Sequence, residues 1–391
     1  MAVRVNKGSF NIREKLTELG RRFGLKGSEL AAAETVQDAR DLVSAGRKNL
    51  IINGDMRIAE RGTSFAVAAS GAYGVDRWKY EASTNAQVTV SQNTAWNNGP
   101  YWAHSLKVET TTARSSTTSS NFAQFLYHIE ANDFGRFRFG TSEAKPFTFS
   151  FWVKSNKTGK FPASFQNHDG TRVFPSDYTI KTADTWEKKV IVVPGDSNGS
   201  WNLYGNSTGL RFTLMWTMGS NFTGGTKGAW ASTSGYANLT TCAGDQMDVV
   251  GATLEFAHAQ LEVGKNATEF EHRSYAEELA LCQRYYYKHA EGNLKDLGTG
   301  HYYATTLFAF SVHFPVTMRI PPNLDYETGT GYYGIYSAGL LDAFDVMAIT
   351  RKNNNSAAID TGTGTNGAVG NGGIVTTNNA DAYFAFDAEL T

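Results

Sequence analysis

Apolar and polar residues alternate along most of this chain. In FTFSFWVKS (147–155), Phe147, Phe149, Phe151 and Val153 fall on one side of a pleated strand. In LRFTLMWTM (210–218), Leu210, Phe212, Leu214, Trp216 and Met218 repeat the pattern. Leu106 and Val108 alternate with polar neighbours, and residues 185–194 and 247–263 add further strand-like runs. NLIINGDMRIAERG (49–62) reads as an apolar run, an Asn-Gly turn and a second strand-like piece. Turn clusters of Gly, Asn and Ser separate these runs, and no helical period lies between them. The pattern predicts a mainly β protein whose central part is an antiparallel jelly-roll sandwich.

Two stretches depart from that period. Before residue 49, Ile12, Leu16, Leu19 and Phe23 recur at helical spacing, and after a cap at Ser28 so do Ala32, Val36, Ala39 and Val43. Each stripe is too short for a self-sufficient coiled coil, so a basic docking segment is expected here, its stripes buried against copies of itself or another protein. The second departure is QLEVGKNATEFEHRSYAEELALCQRYYYK (260–288): the end of a strand, a turn at Gly264-Lys265-Asn266, then a helix. Ser274 is its expected N-cap, with Glu277 three residues on and Ala276, Leu279 and Ala280 along one face. Tyr285, Tyr286 and Tyr287 follow, and are expected to pack at a domain joint or oligomer axis. Beyond it, a smaller β-sandwich is expected from YYATTLFAFSVHF, GYYGIYSAG, FDVMAITRK and AYFAFDAEL, with 353–373 as a long Gly/Asn/Thr loop. The resulting division is 1–48 docking segment, 49–273 jelly roll, 274–288 helical linker and 289–391 distal sandwich.

Composition narrows the function classes. With 391 residues the chain has room for two or three domains, and 41% apolar residues suffice for real cores. Abundant glycine (39), scarce proline (8) and 13% aromatics favour a strand-and-turn protein over an α/β enzyme. A net charge of −1 offers no global field toward nucleic acid, and no apolar run suits membrane insertion. No cofactor is implied. Cys242 and Cys282 give no disulfide framework, and eight scattered histidines show no transition-metal spacing; a structural calcium held by Asp and Asn loops stays open.

The pieces NLIINGDMRIAERGTS, DRW at Asp76–Trp78, FTFSFWVKSNKTGKF, AQLEVGKNATEFEHRSYAEELALCQRYYYK, FPVTMRIPPNL and FAFDAEL, in this order, resemble a recurring family of phage tail-fibre and other virion-appendage proteins. The likeness covers most of the chain from residue 49 onward; it is their order and combination that is specific. It implies a non-enzymatic structural protein of the virion, docked through residues 1–48, projecting outward as a homotrimer, with a central jelly roll like a carbohydrate-binding module. It carries over no catalytic residues. Tail, neck or capsid placement stays open, as does a decoration fibre with a mainly structural role.

Sugar binding needs flat aromatic faces with amides or carboxylates nearby. Trp96, Asn98, Tyr101 and Trp102 in WNNGPYW offer both, as do Trp201 and Tyr204 in WNLYGN and Trp230 in a Gly/Ser loop. The alternative for each loop tryptophan is a cap on the end of the sandwich core. Trp152, Trp186 and Trp216 lie within strand patterns and read as framework. Tyr332, Tyr333 and Tyr336 are candidate surface of the distal tip. A polysaccharide-degrading spike would need two carboxylates across a cleft; the pairs Asp245/Asp248 and Glu277/Glu278 have no spacing that selects them. Ser197 in GDSNG follows a strand but opens no helix, so it suits a turn better than a nucleophile elbow.

Overall fold

The computed structural model describes residues 48–67, 71–94, 104–116, 118–232, 245–362 and 364–390. The expected docking residues Ile12, Leu16, Leu19, Phe23, Val36 and Val43 lie outside the described residues, as do Trp96, Asn98, Tyr101 and Trp102.

Two antiparallel sheets form the first unit. One has the order β1 (Ser64–Val67), β4 (Gln87–Asn93), β5 (Ser105–Thr112), β13 (Thr253–Val263), β7 (Phe147–Ser155), β10 (Glu187–Val193). The other runs β12 (Ala231–Ser232), β9 (Arg172–Ile180), β8 (Gly159–Asn167), β11 (Thr208–Met218), β6 (Phe122–Glu130), β3 (Trp78–Ser83), β2 (Tyr73–Val75). From β5 to β8 the chain crosses between sheets at each step, the jelly-roll path. The alternating residues of β7 and β11 meet in the middle: Phe149 and Phe212 ring centroids are 4.7 Å apart, and Phe125 lies 4.9 Å from Trp216. Phe147, Phe149, Phe151, Phe212 and Trp216 are fully buried.

The second unit pairs a three-stranded sheet, β14 (Tyr286–Glu291), β23 (Tyr383–Asp387), β17 (Asn323–Tyr326), with a seven-stranded one. The latter has the order β19 (Leu340–Phe344), β18 (Tyr333–Ser337), β22 (Gly372–Thr377), β15 (Asp296–Ala304), β16 (Leu307–His313), β21 (Ser356–Thr361), β20 (Met347–Lys352). Phe310, Phe384 and Phe386 are among the side chains at its centre. Among the described residues helix is confined to short pieces, such as α1 (Ala131–Phe134) and α2 (Tyr275–Gln283).

Three expectations need correction. NLIINGDMRI is not a pair of strands. Residues 49–58 run as irregular, almost wholly buried backbone, and side chains take the place of a neighbouring strand. Asn49 accepts from the Leu261 amide and donates to the Ala259 carbonyl; the Tyr127 hydroxyl meets both the amide and the carbonyl of Ile52. Asn53, at φ 58°, accepts from the Ile58 amide and donates to the carbonyls of Ile58 and Asp76. Second, 353–373 is not one loop, because SAAIDT within it is β21, paired with both β16 and β20. Third, residues 286–288 open β14 and do not belong to the helical linker.

Helix α2 starts where expected, with the Ser274 hydroxyl accepting from the Glu277 amide. Its buried face is a different one. Glu278 and Cys282 point inward, while Ala276 is exposed. Glu278 is held there by the Asn53 amide and the Arg273 guanidinium, a polar anchor that apolar spacing does not reveal.

Candidate functional site

The helix lies in a seam between the two β units. Ile52, Ile58, Cys282, Tyr285 and Leu390 form a small apolar cluster there, separate from both main cores. Around it sits a network of buried charge. Arg77, set at φ 77° in the DRW motif, pairs with Glu389 and donates to the His128 carbonyl at 2.7 Å. Arg61 reaches Asp387 at 3.1 Å and Glu389 at 3.5 Å, and lies 3.7 Å over the Tyr286 ring. The Arg77 guanidinium is 3.5 Å over the Tyr285 ring, whose hydroxyl donates to Glu130 at 2.8 Å. Arg284 makes a forked pair with Glu130, and Arg319 donates to the carbonyls of Ala388, Glu389 and Asn206. Burial pulls the Arg77 guanidinium toward neutrality, but Glu389 and the tyrosines outweigh it and hold the charge more firmly than in water. Burial raises the Asp76 carboxyl to about 6 and the Glu60 carboxyl to about 7. This site is built to hold two domains together. Tyr285 and Tyr286 pack at it, buried, while Tyr287 is half-buried against Phe314 and Phe386.

Of the glycan candidates that are described, Trp201 and Trp230 cap the end of the jelly-roll core. Their rings sit 5.3 Å apart at 89°, and Phe139 lies edge-on to both. Each indole N–H donates to a backbone carbonyl, Trp201 to Asn198 at 3.0 Å and Trp230 to Pro194 at 2.8 Å. Both rings are half-buried against the core. Tyr204, by contrast, is 86% exposed.

On the distal unit, Tyr333 is not surface. It is fully buried, stacks on Phe344 at 5.7 Å, and its hydroxyl lies 2.7 Å from the carbonyls of Glu327 and Tyr383. Strand alternation explains the correction, because a core Tyr333 puts Tyr336 on the outer face. Tyr336 pairs across the sheet with Leu341 on one side and Ile374 on the other, and all three are exposed. Tyr332 is partly exposed, wedged against Gly329, where a Cβ would come within 2.3 Å of its ring.

A second concave feature lies on the outer face of the first sheet. Ser150, Trp152, Lys188, His258, Thr268, Glu269, Phe270 and His272 line a cleft of about 350 Å³. Trp152 and Lys188 are cross-strand partners on β7 and β10. A bulge in β13 between Ala257 and Gln260 puts His258 at φ 49° and turns its ring against Phe270, 4.2 Å away and nearly parallel. His272 stands edge-on to both rings. Burial, with His272 nearby, drives the His258 imidazole down to about 3, so it is neutral at physiological pH. The Lys188 ammonium lies 3.5 Å from the Thr268 carbonyl. Trp152 read as framework from its strand pattern, and only the fold places it in a cleft; the bulge at His258 left no trace in the sequence.

Among the described residues, no group of three or more His, Cys, Asp or Glu side chains is placed to hold a metal ion, and no helix is long and apolar enough to cross a membrane. Asp245 pairs with Arg114 and Asp248 with Lys157, while Glu278 is sealed in the seam.

No protein-family model matches the chain, and no curated protein does. Solved structures give distant likenesses. One is the enzymatically active domain of bacteriophage CBA120 tailspike protein 4, at TM-score 0.30 and 11% identity over 55% of this chain. The matched part spans 21% of the tailspike chain. Another is the family 11 carbohydrate-binding module of Clostridium thermocellum Lic26A-Cel5E, at TM-score 0.27 and 14% identity, covering 52% of this chain and 98% of the module. A third is TmCBM61 in complex with β-1,4-galactotriose, at TM-score 0.27 and 9% identity, covering 56% and 100%. At such scores no functional argument rests on them.

Proposed function

We propose that this chain is a structural, non-enzymatic subunit of a bacteriophage particle: a trimeric tail fibre that docks through residues 1–48 and presents its β domains to polysaccharide on the host surface. The observation that carries the reading is the joint. The motifs that bear the sequence resemblance are scattered along the chain, yet Asp76, Arg77, Tyr285, Tyr286, Asp387 and Glu389 converge in one buried network that couples two β units. Such a joint suits a fibre, because avidity depends on the effective concentration of the linked sites, and a fixed spacing keeps them within reach of one surface. The open aromatic cleft beside β7 and β10 gives the reading a surface on which sugar can be met.

The test uses the full chain. Antibody raised against it should label purified particles at an appendage, light scattering should give three copies, and the protein should bind host cells in competition with extracted surface polysaccharide. Leu16→Glu should abolish incorporation into particles while leaving the β domains folded. A protein absent from particles, or a well-folded trimer that fails to bind host cells, overturns the corresponding part of the reading.

A further inference from the structure

We propose that the cleft between Trp152 and the His258–Phe270 stack is a subsite for one or two neutral pyranose units, a proposal that rests on the glycan-binding reading above. Four observations converge on it. Its volume of about 350 Å³ is at the small end of the range of ligand sites, room for a sugar unit or two but not for a long chain laid lengthwise. Trp152 projects from the face of β7 that is turned away from the core, and its half-buried indole lines the cleft. The facing wall is a second aromatic surface, the Phe270 ring backed by His258 at 4.2 Å. Lys188, Glu269 and His272 line the same cleft with an ammonium, a carboxylate and an imidazole, the kinds of donor and acceptor that sugar hydroxyls use, while the Thr268 hydroxyl is already bound by Glu262 and Lys48.

The charge balance selects the class of sugar. Lys188 and Glu269 line the cleft with opposite charges, and Lys48 at the Thr268 hydroxyl is matched there by Glu262. Arg57 is paired with Asp55 and the buried His258 adds no charge, so the lining carries no surplus of positive charge for a uronate. A neutral ring, stacking its C–H face on Trp152 and bridging both walls, fits this lining best. Binding should therefore depend little on ionic strength.

The experiment is titration of the full chain, by calorimetry and cell-surface competition, with polysaccharide extracted from host cells. The same titration uses its hydrolysed oligosaccharides, separated into neutral and uronate-bearing pools. Trp152→Ala and Phe270→Ala should each weaken binding of the neutral pool about tenfold or more, with unchanged melting temperature. Trp152→Phe, which keeps a flat face, should recover most of it, and Tyr204→Ala should have no effect. Wild-type binding that survives both alanine substitutions leaves the glycan reading standing and overturns the cleft. Preference for the uronate pool, or steep loss of binding with salt, overturns the neutral class. No polysaccharide binding by wild type overturns the glycan reading and this proposal with it.

Discussion

Arg77 and Glu389 are 312 positions apart in sequence and nearly inaccessible in the fold, with side-chain exposures of 2% and 4%. Such a pair repays its desolvation only while both members are present. Arg77→Met should cost about 3–5 kcal/mol in denaturant unfolding, because it strands the Glu389 carboxylate, whereas Arg77→Met with Glu389→Leu should regain much of that. Titrating groups give the fold a two-sided pH dependence. Glu60 and Asp76 have their carboxyls raised by burial, to about 7 and about 6, from ordinary values of 4.5 and 3.8. The folded protein thus holds these protons more tightly than the unfolded chain does. Their contribution is fully present below the ordinary values and is lost as pH rises through 6 to 7. His128 and His258 act oppositely: burial drives both to about 3, so their contribution is full above the ordinary 6.5 and is lost as pH falls toward 3. Glu60→Gln, keeping its contact with Gln283, should flatten the decline between about pH 4.5 and 7, read as urea midpoints at stepped pH.

Among the elements, the ones legible in the sequence are those whose burial follows the strand period. FTFSFWVKS, LRFTLMWTM and YFAFD appear as strands because one face of each meets a core. The Ser274 cap was readable for a local reason, since a hydroxyl three residues before an amide closes the first turn. Residues 49–58 were not readable, because their side chains are buried without a strand period, Leu50, Ile51 and Met56 in the jelly-roll core and Ile52 and Ile58 in the seam. Nothing local marks the distant Tyr127, Glu278 and Arg273 that satisfy the backbone. The candidate site was not legible in the same way: Trp152 read as framework, and the stack that completes its cleft depends on a bulge. Gly54 records how tightly the seam is drawn. A Cβ there would sit 2.2 Å from the Ala259 carbonyl oxygen, backbone that cannot rotate away. Gly54→Ala should destabilise the protein by about 1–3 kcal/mol, measured by thermal or urea unfolding.

For the whole molecule the joint decides whether two β units behave as one body. Arg319 donates across it to the Asn206 carbonyl while holding the Ala388 and Glu389 carbonyls of its own unit, and Arg284 with Tyr285 grips Glu130. The full chain should melt the two units in a single calorimetric transition. Arg319→Ala combined with Glu130→Gln should split it in two, with each core retained. Two transitions in the unaltered protein would show that the seam does not couple them.

The path of the chain through that seam also fixes how the molecule bears load. Residues 1–47 lead into Lys48, whose amide and that of Asn49 are both bound by Glu271, and the next ten residues thread between the units while Asp387–Leu390 returns to the same place. Tension drawn through the N-terminal segment therefore enters at the waist and not at a pole. It must shear Asn49, Arg273 and Glu278 past one another before any strand can unzip, and both sandwiches share the strain. A pulled molecule should hold at high force and then yield abruptly, with the seam as its fuse.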